Sequence, residues 1–180
     1  DEIIAMIKDV ESDDAFIQAL TAPDFCTKYS SPEKNYFYWK YENYLRRTEQ
    51  PVATPMTHED LRQKENKKLV MTIEHIVAQS NSGEKSKVIT DALKIDVGSV
   101  EVFDEKYLNS IGNLTLDPQS ANSSKGKKDV DEKNSKYFAK APYKCQNELE
   151  EFMIDDVWTL ESIKKRKAKL LTFAKELWCN

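Results

Sequence analysis

The chain has 180 residues and a formal net charge of −4, with 39% hydrophobic and 32% charged residues. Its seven Phe, three Trp and eight Tyr exclude a disordered chain, and only four Gly and six Pro argue against an all-β fold rich in tight turns. No apolar run approaches the length of a membrane span, so we expect no membrane partner. Because the chain opens with Asp1-Glu2 rather than Met, we expect it to be a fragment of a longer protein.

Helical spacing of apolar residues predicts helices over residues 3–10 and around 16–20. Ser31-Pro32 is typical of a helix start, with Ser at the N-cap and Pro in the first turn. The helix that follows, over roughly 32–47, is dense in aromatic residues. A core-facing helix explains that stripe better than a surface on which bases stack.

Residues 48–58 contain two prolines and predict a linker. A β-prone run over 69–73 then ends in Glu74-His75. Further helices are predicted over 84–95 and 104–110.

A second short strand is predicted at Asn113-Leu-Thr-Leu, after which Asp117-Pro118 turns the chain into a helix near Gln119. From about residue 159 the apolar residues follow the period of a long amphipathic helix. The pattern as a whole predicts an α+β fold that is mostly α-helical.

Three cysteines, Cys26, Cys145 and Cys179, are widely spaced, and no C-x-x-C motif occurs. This pattern supports neither a structural zinc site nor a disulfide framework. A reducing compartment fits best, so we expect a cytoplasmic protein.

Charge is strongly segregated along the chain. Residues 1–24 and 146–161 each carry a net charge of −6, whereas residues 120–144 carry +4 and residues 162–180 carry +5. A protein that binds phosphate needs a local basic patch rather than a basic average, so the acidic mean does not exclude nucleic acid as a partner. Each charged stretch taken alone is more typical of a solvated helix face.

Four residues stand out by their order and spacing. Glu74 and His75 end the first predicted strand, Asn113 begins the second strand 38 residues later, and Asn122 follows nine residues further on, in a helix. This combination resembles the HNH, or His-Me finger, nuclease motif. The resemblance implies a small ββα-metal core in which two antiparallel strands and a helix hold one metal ion, surrounded here by helices.

The resemblance is closest to the C-terminal nuclease domain of the GmrSD-type, modification-dependent (type IV) restriction enzymes, and it covers roughly residues 32–178. Tyr107-Leu108, which leads into the second strand, also matches. So do residues that follow the motif: Phe138, Lys140, Tyr143, Trp158-Thr159, Ile163, Arg166 and Trp178. One departure is Ala78, where the family commonly has proline. The second departure is at the third position of the motif, where Asn122 replaces histidine. Asn occurs at that position in many active members.

The resemblance implies a role for each motif residue. His75 is the catalytic base, and Asn113 orients it from the neighbouring strand. Glu74 and Asn122 are the metal ligands, and their oxygen atoms favour Mg²⁺, which Mn²⁺ can replace.

Three lysines follow Asn122 within two turns of helix: Lys125, Lys127 and Lys128. We expect them to contact DNA phosphates without reading sequence, and we expect the same of Lys140 and Arg166. The family implies duplex DNA as substrate, a role in prokaryotic defence against phage, and an N-terminal NTP-binding domain in the parent protein. No Walker-type glycine-rich loop is present, so we expect no nucleotide in this chain.

We divide the chain into an N-terminal helical region with its linker, 1–58, and a nuclease core with C-terminal helices, 59–180, within one compact unit. Two other functions stay open. The fold is also compatible with a catalytically inactive DNA-binding module, which would bind no metal and leave plasmid intact. It is compatible too with a toxin-type nuclease that cuts RNA.

Overall fold

The computed structural model describes residues 12–48, 53–79, 98–126 and 128–179. Most of these residues are helical, and the predicted α+β fold with mostly α-helical content is confirmed. None of the helices in these ranges is long and apolar enough to cross a membrane. The α-helices, in chain order, are α1 (Asp13–Thr21), α2 (Phe25–Lys28), α3 (Ser31–Thr48), α4 (His58–Arg62), α5 (Val100–Phe103), α6 (Gln119–Lys125), α7 (Val130–Lys136), α8 (Lys144–Asn147) and α9 (Leu160–Trp178).

The strands form two separate antiparallel pairs. β1 (Lys64–Glu65) pairs with β2 (Lys68–Leu69), and β3 (Met71–His75) pairs with β4 (Leu114–Pro118). Shorter helical turns lie at Asp104–Leu108, Ile111–Asn113, Phe138–Lys140 and Glu148–Phe152.

The aromatic stripe of α3 forms the main core, as the sequence predicted. Phe37, Tyr38 and Tyr41 are at most 1% exposed, and Phe173 of α9 packs edge-on against Phe37. α3 also packs against β3 and β4, so the strand pair rests on this aromatic helix. Tyr38 Oη donates to the carbonyl of Ile111 at 2.6 Å, which ties the helix to the turn that leads into β4.

A second apolar cluster begins directly after β3. Ile76 and Val77 are fully buried and pack with Phe138, Trp158 and other apolar residues of the C-terminal half. Met71 and Ile73, by contrast, pack with the aromatic core. The Glu74-His75 end of β3 therefore lies where the chain passes from one cluster to the other.

The long helix α9 is anchored at both its start and its middle. Thr159 and Ser162 form a reciprocal capping box at its N-terminus. Further along, the fully buried Arg166 donates to the carbonyl oxygens of Leu114 and Gly112. Gly112 packs directly on the backbone at Ile163, so α9 holds the turn that precedes β4.

Several predicted elements differ from the structure or lie outside it. The predicted helices over 3–10 and 84–95 fall outside the described residues. The helix predicted over 104–110 begins earlier, as α5, and continues as a wider π-helical turn over Asp104–Leu108. The β1–β2 hairpin was not predicted, because its exposed polar residues give no hydrophobic period.

Candidate active site

Strand pairing brings the three parts of the predicted motif together. In the antiparallel register His75 lies opposite Leu114 and Thr72 lies opposite Asp117. α6 follows β4 without a loop and packs against both strands. Asn122 of α6 donates through Nδ2 to Thr72 Oγ1 at 3.0 Å and to the Ile73 carbonyl at 3.2 Å.

Asn113 fixes the backbone that follows His75. Its side chain is fully buried, and its Oδ1 accepts from the Val77 amide at 2.9 Å. Its Nδ2 donates to the carbonyls of Val77 and Leu108. Asn113 thus holds the chain two residues beyond His75, whereas the sequence predicted that it orients the imidazole itself.

The imidazole of His75 instead meets Asn109, with 3.2 Å between Nε2 and Asn109 Oδ1. The same oxygen accepts from Gln79 Nε2 at 3.3 Å. Burial lowers the pKa of His75 to about 4, although the hydrogen bond to Asn109 opposes that shift. The ring is therefore neutral at pH 7, which is the form that accepts a proton.

Glu74 forms a buried ion pair with Lys133, a residue that the sequence analysis did not single out. Lys133 Nζ lies 2.5 Å from Glu74 Oε1 and also donates to the carbonyls of His75, at 2.7 Å, and Ile76, at 3.2 Å. Burial raises the pKa of Glu74 and lowers that of Lys133, and the attraction between the two charges opposes both shifts. One ammonium group thus binds the end of β3 at three points.

A second buried pair lies beside the first. Lys125 Nζ is 2.5 Å from Asp117 Oδ1, and the same oxygen accepts from Gln146 Nε2 at 2.6 Å. Asp117 and Thr72 are opposite each other in the register, so this pair is on the face of the strands that α6 covers. The charges of Lys125 and Asp117 act on the pKa values of Glu74 and Lys133, and the charge of Lys133 acts on the pKa of Asp117. Four buried charges therefore lie in one neighbourhood.

The five predicted phosphate-binding residues differ in their exposure in the structure. Lys125 and Arg166 are buried and bonded within the chain, which does not fit contact with DNA, because an ammonium or guanidinium group cannot reach phosphate from the core. Lys128 is partly exposed, 3.3 Å from Glu132, and Lys140 is exposed. Lys127 lies outside the described residues.

The donor atoms around Asn122 and Glu74 suit a hard divalent cation. Lys133 binds Glu74 through Oε1, so Oε2 is the carboxylate atom that remains for a metal. Asn122 uses its Nδ2 on the strand, and its Oδ1 is the atom that can ligate. In the described ranges no group of three or more His, Cys, Asp and Glu side chains is placed to hold a metal. These oxygen donors fit Mg²⁺, which commonly takes one or two carboxylates and fills its octahedron with water.

An acid, a neutral histidine and two asparagines thus lie together on two paired strands, the turn before the second strand and the helix that follows it. The chain belongs to the family "GmrSD restriction endonucleases, C-terminal domain", whose model matches residues 10–173. No curated protein and no solved structure matches the chain. The chain is therefore a domain of restriction-endonuclease type, a class whose substrate is DNA.

Two residues at the site escaped the sequence analysis. Asn109 lies four residues before Asn113 and has no motif of its own. Lys133 lies 59 residues after Glu74, within a charged stretch that reads as a solvated helix. The segregated charge of residues 120–144 drew attention to this region, but no spacing rule pairs a lysine with an acid so far away in the chain.

Proposed function

We propose that this chain is a divalent-metal-dependent HNH endonuclease that hydrolyses phosphodiester bonds of double-stranded DNA in prokaryotic restriction of phage. The observation that carries the proposal is the juxtaposition of Glu74 and His75, at the end of β3, with Asn122 of the helix that follows β4. Membership of the restriction-endonuclease family supports DNA as the substrate.

His75 acts as the general base in this proposal. With Nε2 protonated and donating to Asn109 Oδ1, the lone pair of Nδ1 accepts a proton from the attacking water. Burial keeps the ring neutral, with a lone pair that can accept the proton, although the lowered pKa makes it a weaker base than an exposed imidazole. Asn113 holds the backbone two residues after His75, and Asn109 contacts the ring itself.

Glu74 and Asn122 would hold the metal ion, Mg²⁺ or Mn²⁺, through a carboxylate and an amide oxygen. When bound, the ion supplies positive charge for the phosphate oxygens as charge develops on them. Lys133 keeps Glu74 in place and adds a further positive charge beside it.

The parent protein follows from the family resemblance, and the cellular location follows from the cysteines. We propose that a parent protein joins this domain to an N-terminal NTP-binding domain. All three cysteines are free, and Cys145 is buried, which supports a reducing cytoplasm as the working compartment.

Cleavage assays test this function against its two rivals. Supercoiled plasmid, linear duplex DNA and a single-stranded RNA of matched length are each incubated with the protein in Mg²⁺, in Mn²⁺ and in EDTA. We expect nicked and linear plasmid in either metal and no product in EDTA. Intact plasmid in both metals favours the inactive DNA-binding module, and faster cleavage of RNA than of DNA favours a toxin-type nuclease.

A further inference from the structure

An exposed basic hairpin immediately precedes the strand that carries Glu74 and His75. β1 and β2 pair through Lys64 with Leu69 and through Glu65 with Lys68. The turn residues Asn66 and Lys67 have φ values of 50° and 65°, as a two-residue type I′ turn requires. All three lysines of the hairpin, Lys64, Lys67 and Lys68, are exposed.

The charge of this segment is strongly positive. Arg62, the exposed last residue of α4, adds to the three lysines, so residues 62–68 carry four bases against the single acid Glu65. The acids of α4, Glu59 and Asp60, lie in its first turn, three and two residues before Arg62, and line one cleft with it. Asp60 is also engaged in capping α4 through Thr57.

The hairpin is joined to the candidate active site. Lys68 lines a cleft of about 450 Å³ together with Thr72 and Ile73, the two residues that Asn122 binds. It also lines a smaller cleft of about 290 Å³ with Gln119 and Ser120, where the helix of Asn122 begins. The hairpin continues through Val70, whose carbonyl accepts from the Gln119 amide at 2.8 Å.

We infer that the hairpin 64–69 is a DNA-contacting arm, in which Lys64, Lys67 and Lys68 bind backbone phosphates of a duplex beside the site. The inference rests on the proposed function for the identity of the substrate. Exposed lysines release counterions when they meet phosphate, whereas Lys125 and Arg166 are held in the core. The arm thereby takes the role that the sequence analysis gave to the buried Lys125.

The test compares two triple variants in the full 180-residue chain. The first changes the arm, Lys64→Gln, Lys67→Gln and Lys68→Gln. The control changes three exposed lysines of α9, Lys164→Gln, Lys165→Gln and Lys175→Gln, and so removes the same charge elsewhere. Both are made on a His75→Ala background so that DNA stays intact, and the affinity for fluorescein-labelled duplexes of several sequences is measured by anisotropy across a salt series.

We expect the arm variant to flatten the slope of log affinity against log salt by about 2 to 3, since each phosphate contact contributes roughly 0.9. At about 0.1 M salt this corresponds to a loss of affinity of up to about 500-fold, equal for all duplex sequences. The control variant should retain the parent slope. Thermal unfolding of all three proteins should coincide, because every changed side chain is exposed.

An unchanged slope in the arm variant, an equal change in the control, or no binding by the parent protein would each overturn the inference. Cleavage by the protein with an intact His75 is measured separately. A flattened slope without cleavage contradicts the nuclease function and leaves the arm in place. Cleavage together with an unchanged slope contradicts the arm alone.

Discussion

Replacing Lys133 by Met tests whether the buried pair with Glu74 holds the site together. The side chain of Lys133 is fully buried, and that of Glu74 is 8% exposed. Met fills a similar volume and has a similar helix propensity, so the change removes the charge with little other disturbance. The carboxylate then loses its ion-pair partner, and the carbonyls of His75 and Ile76 lose a donor.

Removing one partner of a buried ion pair costs about 3–5 kcal/mol, because the other charge is left in a poorly solvating environment. We therefore expect Lys133→Met to lower the free energy of unfolding by about that amount, a large share of the roughly 5–15 kcal/mol of a whole domain. Adding Glu74→Leu should restore part of the loss, because the double variant leaves no unpaired charge.

Urea unfolding followed by circular dichroism measures these differences. Lys136→Met is the matched control, because Lys136 is on the same helix but is exposed and forms a surface ion pair with Glu132. It should unfold like the wild type. Equal stability of Lys133→Met and Lys136→Met would contradict a stabilising role of the buried ion pair. So would a double variant, Glu74→Leu with Lys133→Met, that is less stable than Lys133→Met alone.

Four further changes have outcomes that follow from the described contacts. Gly112→Ala should destabilise the fold by about 1–3 kcal/mol, because the added Cβ would overlap the carbonyl oxygen of Ile163; an unchanged melting temperature would contradict this packing. Arg166→Gln should lower the free energy of unfolding by about 3–5 kcal/mol without changing the salt dependence of DNA binding. A weaker salt dependence with normal stability would show instead that Arg166 contacts phosphate. Asn109→Ala should reduce cleavage by about 10- to 100-fold through loss of ring orientation, with no change in the Mg²⁺ midpoint. Asn122→Ala should raise the Mg²⁺ midpoint of cleavage and weaken Mn²⁺ binding seen by electron paramagnetic resonance, whereas Asn147→Ala, on α8, should leave both at the wild-type values.

Local sequence patterns predicted the elements of the site to within a few residues. The β-prone run predicted over 69–73 is observed as Met71–His75, and the strand predicted at Asn113 begins at Leu114. The aromatic helix begins at Ser31, one residue before the start that the Ser-Pro signal indicated, and its stripe is the core. These features depend on periodicity and capping, which act over a few residues and are therefore visible in one sequence.

Whether a given lysine is buried or exposed could not be predicted in the same way. Lys125 and Lys133 are buried because each meets an acid on a strand, Asp117 and Glu74, in a folded arrangement that spacing does not reveal. A rule that places lysines in solvent fails when a distant carboxylate neutralises them. The hairpin was missed for the opposite reason, since its residues are exposed and its turn contains no glycine.

The most direct test of the nuclease function is the single-turnover rate of plasmid cleavage at saturating Mg²⁺ for the wild type, His75→Ala and His58→Ala. A positioned base contributes about 10²–10⁴-fold, so His75→Ala should lose activity by that factor while unfolding at the wild-type temperature. His58, the other histidine of the chain, is exposed and contacts the rings of Tyr36 and Trp39, so its variant should cut at the wild-type rate. Equal rates for all three proteins would contradict the assignment of His75 as the catalytic base.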